Sequence, residues 1–322
     1  MKAIALISGG LDSTLAAGLV SEQGIEVVCL RFKIPFCAKT NKILPDLGIE
    51  IQEINIADDF LKLIENPKYG YGSQMNPCID CKILMLSKAK ELMEQYNAKF
   101  IITGEVLGQR PMSQHKQALE TIAKRAGLES LVLRPLSAKL LPQTLPEREG
   151  WIKRQNLLDF SGRGRKQQIE LAKTLGIEEY AQPAGGCLLT DPGFSKRLRD
   201  LIAYGKLNLN NIELLKIGRH FRITPETKLV VGRNEKENER LLNLAKEEDY
   251  LFMPKDIPGP TALGRGIFNE ELINFSSSII CRYCDLDGST NADIIYKKTP
   301  EQEDKILKIA PIEDSRLIEL RI

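Results

Sequence analysis

The first hundred residues alternate between short apolar runs and amphipathic stretches, and this alternation constrains the fold more than any other feature of the sequence. Continuous apolar runs are typical of strands buried on both faces of a parallel sheet, and the stretches between the runs have helical periodicity. The run from Glu50 to Ile56 instead alternates between apolar and polar residues, which also predicts a strand. We therefore predict an α/β fold built on a doubly wound parallel sheet. In such sheets the ligand binds beyond the carboxyl ends of the strands. The predicted strands are Ala3 to Ser8, Ile25 to Phe32, Glu50 to Ile56 and Ala98 to Thr103, and the predicted helices include Thr40 to Leu47 and Ile83 to Asn97.

The pattern changes in the second half of the chain. From Lys228 onwards, short apolar runs lie on either side of a helix predicted through Asn238 to Ala245. Strands and helices in this arrangement indicate a separate, smaller α+β domain. We place the boundary between residues 193 and 194, so the predicted domains are 1–193 and 194–322.

The first predicted strand leads into a loop suited to a phosphate. Two glycines let backbone N–H groups approach an anion at the start of a helix, which Asp12 or Ser13 is expected to cap. The carboxylate of Asp12 would repel a phosphate unless it binds Mg²⁺ or orients a polarised group. The loop lacks the lysine of the common nucleotide-binding loop, so we expect a different kind of phosphate site. Its sequence is Ser8-Gly9-Gly10-Leu11-Asp12-Ser13.

These six residues resemble the PP-loop of ATP pyrophosphatases, which cleave ATP between the α- and β-phosphates to adenylylate a carbonyl oxygen. Two later segments resemble tRNA 4-thiouridine synthases, with one extra residue before Ser113-Gln114. They are Thr103-Gly104-Glu105-Val106-Leu107-Gly108-Gln109, followed by Ser113-Gln114, and Leu133-Arg134-Pro135-Leu136.

The resemblance implies an adenine nucleotide alpha hydrolase-like fold, ATP and Mg²⁺ as cofactors, and a catalytic role for Asp12. It also implies that Arg31 and Phe32 contact the adenosine and that Lys82 lies near the nucleotide. Because the loop begins at Ser8, we expect no N-terminal tRNA-docking domain of the kind these synthases carry. No segment resembles their C-terminal rhodanese domain. The nucleotide-binding residues implied in this way are Ser8, Gly9, Gly10, Asp12, Ser13, Arg31, Phe32, Lys82, Gly104 and Gln109.

The seven cysteines include two C-x-x-C pairs, which in a reducing compartment indicate metal binding or redox chemistry more than a disulfide scaffold. Cys78 and Cys81 lie at the start of a predicted helix, whose dipole stabilises thiolates, and Cys187 follows two glycines. Together these three would fit a [4Fe–4S] cluster with one iron open to hold a hydrosulfide. Similar three-cysteine sites occur in thiolation enzymes that this chain resembles. We therefore predict Cys78 and Cys187 as catalytic residues.

Two other interpretations of these three cysteines stay open. Cys187 with Cys78 or Cys81 could form a persulfide and disulfide pair, or the thiols could hold structural zinc or be inert. Cys37 follows the second predicted strand near the active edge, but its spacing indicates no role. Cys281 and Cys284 are expected to be structural thiols.

The sequence offers two places to hold RNA. Residues 151–166 form a basic stretch that would contact phosphates or simply be solvated, and residues 228–265 resemble the NFACT-type RNA-binding module. His220 is expected at the surface. Since 45 Lys and Arg balance 43 Asp and Glu, any nucleic-acid surface must be a local patch.

We therefore expect a cytoplasmic enzyme that thiolates tRNA at the expense of ATP, making 4-thiouridine with sulfur from the cluster. The alternatives are a 2-thiouridine synthase that uses a cysteine persulfide, and an RNA-binding protein that only senses nucleotide. The expected partners are tRNA, a sulfur donor (sulfide or a cysteine desulfurase) and a second copy of the chain as a homodimer. We expect no membrane association, because no apolar run approaches the ~18 residues of a membrane span.

Overall fold

A computed structural model describes residues 1–37, 43–44, 49–177, 187–300 and 303–322. The chain divides into two units, Met1–Thr190 and Asp191–Ile322.

The first unit is built on a sheet of six strands in the described residues. These are β1 (Lys2–Leu6), β2 (Glu26–Lys33), β3 (Ile43–Leu44), β4 (Ile49–Asn55), β5 (Ala98–Thr103) and β6 (Val132–Leu133). Their order is β3-β4-β2-β1-β5-β6. The five strands from β4 to β6 in this order are parallel, and β3 pairs antiparallel with β4 at one edge. The predicted α/β fold with a parallel sheet is confirmed.

Helices cover both faces of this sheet. They are α1 (Leu11–Ser21), α2 (Ala57–Glu65), α3 (Cys78–Leu92), α4 (Lys116–Arg125), the short α5 (Leu145–Arg148) and α6 (Lys166–Thr174). One hydrophobic core contains Leu15 of α1 and Ala172 of α6. The other contains Leu86 of α3 and Ile122 of α4. The sheet is therefore doubly wound, and its carboxyl-end loops are left to form a site.

Two local predictions differ from the structure. The predicted helix Thr40 to Leu47 is wrong at Ile43 and Leu44, which form an edge strand against β4, and its other residues lie outside the described ranges. Helix α3 begins at Cys78, five residues before the predicted start at Ile83, because the turn through Pro77 starts it. The C-x-x-C pair therefore lies inside the first helical turn.

The second unit has an antiparallel sheet in the order β12-β11-β9-β10-β8-β7. Its strands are β7 (Arg219–Thr224), β8 (Thr227–Val231), β9 (Tyr250–Pro254), β10 (Ala262–Gly266), β11 (Ala292–Lys298) and β12 (Lys305–Ile309). Its helices are α7 (Pro192–Ala203), α8 (Leu209–Leu215), α9 (Glu235–Leu244), α10 (Glu270–Cys281) and α11 (Asp314–Leu320). Phe221 and Phe252 are among the buried side chains between sheet and helices. The predicted smaller α+β domain is confirmed.

In the part of the chain that the structure describes, no helix is both long and apolar enough to cross a membrane.

Candidate active site

The loop after β1 curls around the hydroxyl group of Ser13. This hydroxyl donates to the Gly10 carbonyl oxygen at 2.8 Å and accepts from the Ser8 N–H at 3.2 Å. Gly9 has a φ of +82°, a left-handed conformation that favours glycine. Gly10 is the residue before α1 and offers no side-chain cap, so the prediction that Asp12 or Ser13 caps the helix is wrong. The uncapped N–H groups at this helix start can bind an anion.

Asp12 lies in the first turn of α1 with its two carboxylate oxygens in different surroundings. Oδ2 accepts a hydrogen bond from Gln109 Nε2 at 3.0 Å. Oδ1 is buried and has no hydrogen-bond partner among the described residues. A buried carboxylate oxygen without a donor is costly unless something else binds it. Oxygen of this kind is the ligand that Mg²⁺ prefers, so Asp12 fits the predicted metal.

Gly104 brings the end of β5 against this loop. A Cβ atom at this position would lie 2.4 Å from the Ser13 backbone nitrogen and 2.5 Å from the Asp12 carbonyl carbon, so only glycine fits. The two sequence motifs therefore touch through their backbones.

The loop after Gly104 folds back on itself. The Gly108 N–H donates to the Gln114 carbonyl oxygen at 2.8 Å, and the side-chain oxygen of Gln114 accepts from the Arg110 N–H at 3.1 Å. This closure holds Gln109 where its side chain reaches Asp12. Gln114 is itself buried, so its role is to shape the loop.

Glu105 is a site residue that the sequence analysis did not single out. Its side chain is buried and accepts hydrogen bonds from Arg134 Nε at 3.0 Å and from the Thr103 hydroxyl at 3.0 Å. Its other oxygen lies 3.8 Å from Lys82 Nζ. Burial alone would raise the pKa of Glu105, but the charges of Lys82 and Arg134 and these hydrogen bonds outweigh burial and lower the pKa. Glu105 therefore stays ionised and holds Lys82.

Arg31 and Phe32 follow each other at the carboxyl end of β2. Arg31 is buried and lies 3.8 Å from Glu53 on the neighbouring strand. The Phe32 side chain is part of the hydrophobic core. The predicted contacts of these two residues with adenosine remain predictions.

Three chain segments bring together four cysteines of the first unit, which are Cys37, Cys78, Cys81 and Cys187. The Leu188 N–H donates to the Phe36 carbonyl oxygen at 3.0 Å, and the Met75 N–H donates to the Leu189 carbonyl oxygen at 3.1 Å. The short turn containing Cys187 is thus tied to the turn before Cys37 and to the loop before Cys78. Cys78 Sγ accepts a hydrogen bond from Asn76 Nδ2 at 3.2 Å.

The thiols of these four cysteines are close enough to shift one another's pKa. Burial, together with the neighbouring thiols of Cys37 and Cys78, raises the pKa of Cys187 to about 12. Burial also raises the pKa of Cys81, with Lys82 opposing the shift and the other three cysteines adding to it. Cys37 thus joins the three predicted cysteines. Its position after β2 pointed to this edge of the sheet, but only the pairing with Cys187 brings it into the group.

The described geometry does not show the predicted three-cysteine cluster. Among the residues that the structure describes, no set of three or more histidine, cysteine and acidic side chains is arranged to hold a metal ion. Cys78, Cys81 and Cys187 share a neighbourhood without forming a ligand set. We therefore derive no step through an iron–sulfur cluster.

The predicted basic stretch is divided between half-buried and exposed residues. Trp151 packs against Phe100 with ring centroids 6.4 Å apart, and Arg154 pairs with buried Glu147 and the Leu141 carbonyl oxygen. These side chains support the fold. The exposed basic residues of the stretch are Lys153, Arg163 and Lys166.

Three residues of the second unit have structural positions. His220 is buried, so the prediction that it lies at the surface is wrong: it occupies β7 beside the core residue Phe221. Cys281 and Cys284 have thiols that donate to the carbonyl oxygens of Ile309 and Ile280.

A parallel sheet with a glycine loop opening an uncapped helix, and with Asp12 in its first turn, defines a PP-loop nucleotide-binding domain. Residues 1–139 match the family model described as Thiamine biosynthesis protein (ThiI). Residues 218–320 match the model described as NFACT protein RNA binding domain. The first unit therefore carries a PP-loop domain of the ThiI family, and the second carries an NFACT RNA-binding domain.

Curated relatives match parts of the chain. A tRNA-specific 2-thiouridylase MnmA of Helicobacter hepaticus is 32% identical over 114 residues, covering 30% of this chain and 33% of the relative. A probable tRNA sulfurtransferase of Thermococcus kodakarensis is 30% identical over 119 residues, covering 34% of this chain and 30% of the relative. The chain thus spans about a third of the length of these relatives.

Two solved structures are similar to parts of the chain. A 4-thiouridine synthetase–RNA complex with bound ATP has 18% identity and a TM-score of 0.39, covering 67% of this chain and 52% of that one. The C-terminal part of a fibronectin/fibrinogen-binding protein from Streptococcus suis has 12% identity and a TM-score of 0.29, covering 82% of this chain and 97% of that one.

Proposed function

We propose that this chain is an ATP-dependent tRNA sulfurtransferase that replaces a uridine carbonyl oxygen with sulfur, forming 4-thiouridine. The observation that carries the proposal is the contact between the two motifs. Gly104 packs on the backbone of Asp12 and Ser13, and Gln109 donates to Asp12 at 3.0 Å. A loop for ATP and a segment that resembles those of 4-thiouridine synthases thus form one site.

In the first step, the loop from Ser8 to Ser13 holds the phosphates of ATP through backbone N–H groups and the positive end of the α1 dipole. The uridine oxygen attacks the α-phosphorus and pyrophosphate leaves, which gives an adenylylated base. When bound at Asp12, Mg²⁺ would neutralise phosphate charge. Lys82, held by Glu105, offers a second positive charge beside the nucleotide. Holding base and ATP side by side supplies much of the rate acceleration.

In the second step, sulfur replaces AMP on the base. Since the described cysteines do not form a cluster ligand set, we propose the persulfide route. The terminal sulfur of a persulfide on Cys187 attacks the adenylylated carbon, and AMP leaves with the electron pair of the C–O bond. A protein persulfide, such as that of a cysteine desulfurase, supplies the sulfur. Cys78 and Cys81 line this part of the site.

The tRNA is held by the NFACT RNA-binding domain together with exposed basic residues of the first unit. Lys153, Arg163 and Lys166 are exposed and can contact phosphates without reading sequence. This assignment rests on the family match of residues 218–320 and on the exposure of these three side chains.

The two steps can be tested separately with two variants. Asp12→Ala removes the magnesium ligand and should abolish formation of both AMP and thiouridine. Cys187→Ala removes the sulfur carrier and should abolish thiouridine while tRNA-dependent formation of pyrophosphate continues. Asp58→Ala, an exposed carboxylate of α2, is the matched control and should behave as wild type. Wild-type thiolation by Asp12→Ala would show the nucleotide mechanism to be wrong.

The position of the new sulfur is tested by mass spectrometry of digested tRNA. We expect 4-thiouridine. A 2-thiouridine product would instead place the chain with the 2-thiouridylases that it also resembles. Binding of tRNA with no AMP or pyrophosphate formed would identify an RNA-binding protein that only senses nucleotide.

A further inference from the structure

Cys37 and Cys187 face each other across an antiparallel β-bridge. The hydrogen bond beside this pair runs from the Leu188 N–H to the Phe36 carbonyl oxygen, so the two cysteines form a pair that exchanges no hydrogen bonds with each other. The Cα atoms of such pairs are about 4.5 Å apart. Disulfides need a Cα separation of about 4.4–6.8 Å. The backbone therefore already allows a Cys37–Cys187 disulfide.

The chain on both sides of this pair is anchored. Phe36 is fully buried and packs against Phe60 of α2, with ring centroids 5.5 Å apart. On the other side, Leu189 is buried and its carbonyl oxygen accepts from the Met75 N–H at 3.1 Å. Both chain segments of the bridge are thus anchored, and the two thiols can approach each other without movement of the sheet.

Exposure distinguishes Cys37 from the other cysteines. Of the seven, Cys37 is exposed, whereas Cys78, Cys81, Cys187 and Cys284 are of intermediate exposure and Cys29 and Cys281 are buried. Burial disfavours the thiolates of Cys81 and Cys187. Water reaches Cys37, and so can a reducing thiol from solution.

We propose that Cys37 is the resolving thiol of the sulfur transfer, an inference that rests on the proposed function. After the Cys187 persulfide has attacked the base, the base is joined to the enzyme through Cys187 Sγ–S–C. The Cys37 thiolate attacks Cys187 Sγ, the Sγ–S bond breaks, and its electron pair stays on the sulfur attached to the base. The products are the thiolated base and a Cys37–Cys187 disulfide.

A dithiol reductant from solution then resets the enzyme. It supplies two electrons and two protons, which return the disulfide to two thiols, and is itself oxidised to a disulfide. Because Cys37 is exposed, the reductant can attack the disulfide at this sulfur. Cys81, which is only of intermediate exposure, offers less access.

The test is a single turnover without added thiol. Enzyme is first loaded by a cysteine desulfurase with cysteine, the donor is removed, and ATP, Mg²⁺ and tRNA are added. Wild-type enzyme should release thiolated tRNA and yield a Cys37–Cys187 disulfide in peptide mass spectrometry. Cys37→Ser should form AMP normally but release about tenfold less thiolated tRNA, leaving tRNA bound to Cys187 through a disulfide. Dithiothreitol should free this tRNA and restore the product. Cys284→Ser, in the second unit, is the control and should match wild type.

Two results would overturn the proposal. One is full product release by Cys37→Ser without added thiol. The other is a disulfide between Cys187 and Cys78 or Cys81 in the wild-type enzyme after turnover. Failure of the proposed function is seen separately, as absence of AMP and of thiolated tRNA from the wild-type enzyme even with dithiothreitol.

Discussion

Gly104 is the residue at which the nucleotide loop depends most on the absence of a side chain. In Gly104→Ala the new Cβ would meet the backbone of Asp12 and Ser13 at about 2.5 Å or less, and backbone cannot move aside as a flexible side chain can. We expect strain of about 1–3 kcal/mol and a loss of tRNA-dependent AMP formation of more than tenfold.

The measurement for Gly104→Ala is AMP release by the folded variant, with Gly164→Ala as the matched control. A Cβ at Gly164 meets no atom within 4 Å, so this variant should keep wild-type activity. Equal activities of the two variants would contradict the close packing of the two motifs.

His220 gives the second unit a dependence of stability on pH. Burial, followed by the charges of Lys228 and Arg197, lowers its pKa well below 6.5. Its Nε2 bonds the Ile217 carbonyl oxygen, and Nδ1 is buried without a partner among the described residues. The unfolded chain binds a proton at the ordinary pKa, so stability is lost as the pH falls below about 6.5, by up to about 1.4 kcal/mol per pH unit.

Thermal unfolding of His220→Gln at several pH values between 7.5 and 5 tests this linkage. The variant should lose the part of the pH dependence that His220 causes, while His115→Gln, which changes the exposed histidine, should keep it. An unchanged pH dependence in His220→Gln would show that His220 does not carry the effect.

The residues of the nucleotide loop, Ser8 to Ser13, could be predicted from the sequence. Glycine, serine and aspartate in this short fixed order occur in few kinds of local structure. Glu105 and Cys37 were not predicted as site residues. Their roles depend on Arg134 and Cys187, which are far away in the sequence and adjacent only in the fold. The residues next to a single polar residue in the sequence do not indicate which distant residue it will contact.

At the scale of elements, Arg265 of β10 connects several parts of the second unit. Its guanidinium donates to both carboxylate oxygens of Asp249, to the side-chain oxygens of Asn210 and Asn211 in α8, and to the Leu244 carbonyl oxygen at the end of α9. Arg265→Lys cannot satisfy these acceptors from one ammonium group. We expect a loss of about 2–3 kcal/mol in the stability of this unit.

Thermal or urea unfolding of the full chain measures this loss. Arg282→Lys is the control, because Arg282 pairs with Asp314 at the exposed surface and such pairs contribute about 0–1 kcal/mol. An equal effect of the two substitutions would contradict the connecting role of Arg265.

The helices and strands were predicted correctly where the hydrophobic pattern extends over many residues. The predictions were wrong where strand pairing determines the local structure. Strands β1, β2 and β5 were predicted from continuous apolar runs, and β4 was predicted from the alternation of apolar and polar residues over Glu50 to Ile56. Ile43 and Leu44 were predicted as helix because their short local pattern does not show that the edge of β4 is available for pairing. The start of α3 was placed five residues late because the turn through Pro77 hides the beginning of the apolar pattern.

At the scale of the whole molecule, the chain combines a unit with an ATP-type loop and a unit with an RNA-binding family domain. The change of hydrophobic pattern along the sequence was enough to predict two folds of different class. It could not predict that the described cysteines lack a metal-binding arrangement, because ligand geometry depends on how three separate segments approach each other. The sulfur chemistry therefore depends on how the fold places these cysteines.

The central claim is that one site uses ATP to exchange oxygen for sulfur in tRNA. The most direct test incubates the full chain with ATP, Mg²⁺, tRNA and a cysteine desulfurase with cysteine under anaerobic conditions. AMP, pyrophosphate and thiolated nucleoside are then counted together, along with protein-bound iron. The account predicts one AMP and one pyrophosphate for each 4-thiouridine formed, by protein free of iron. Tight tRNA binding without AMP, pyrophosphate or thiouridine would contradict the claim, and activity that requires bound iron would contradict the persulfide route.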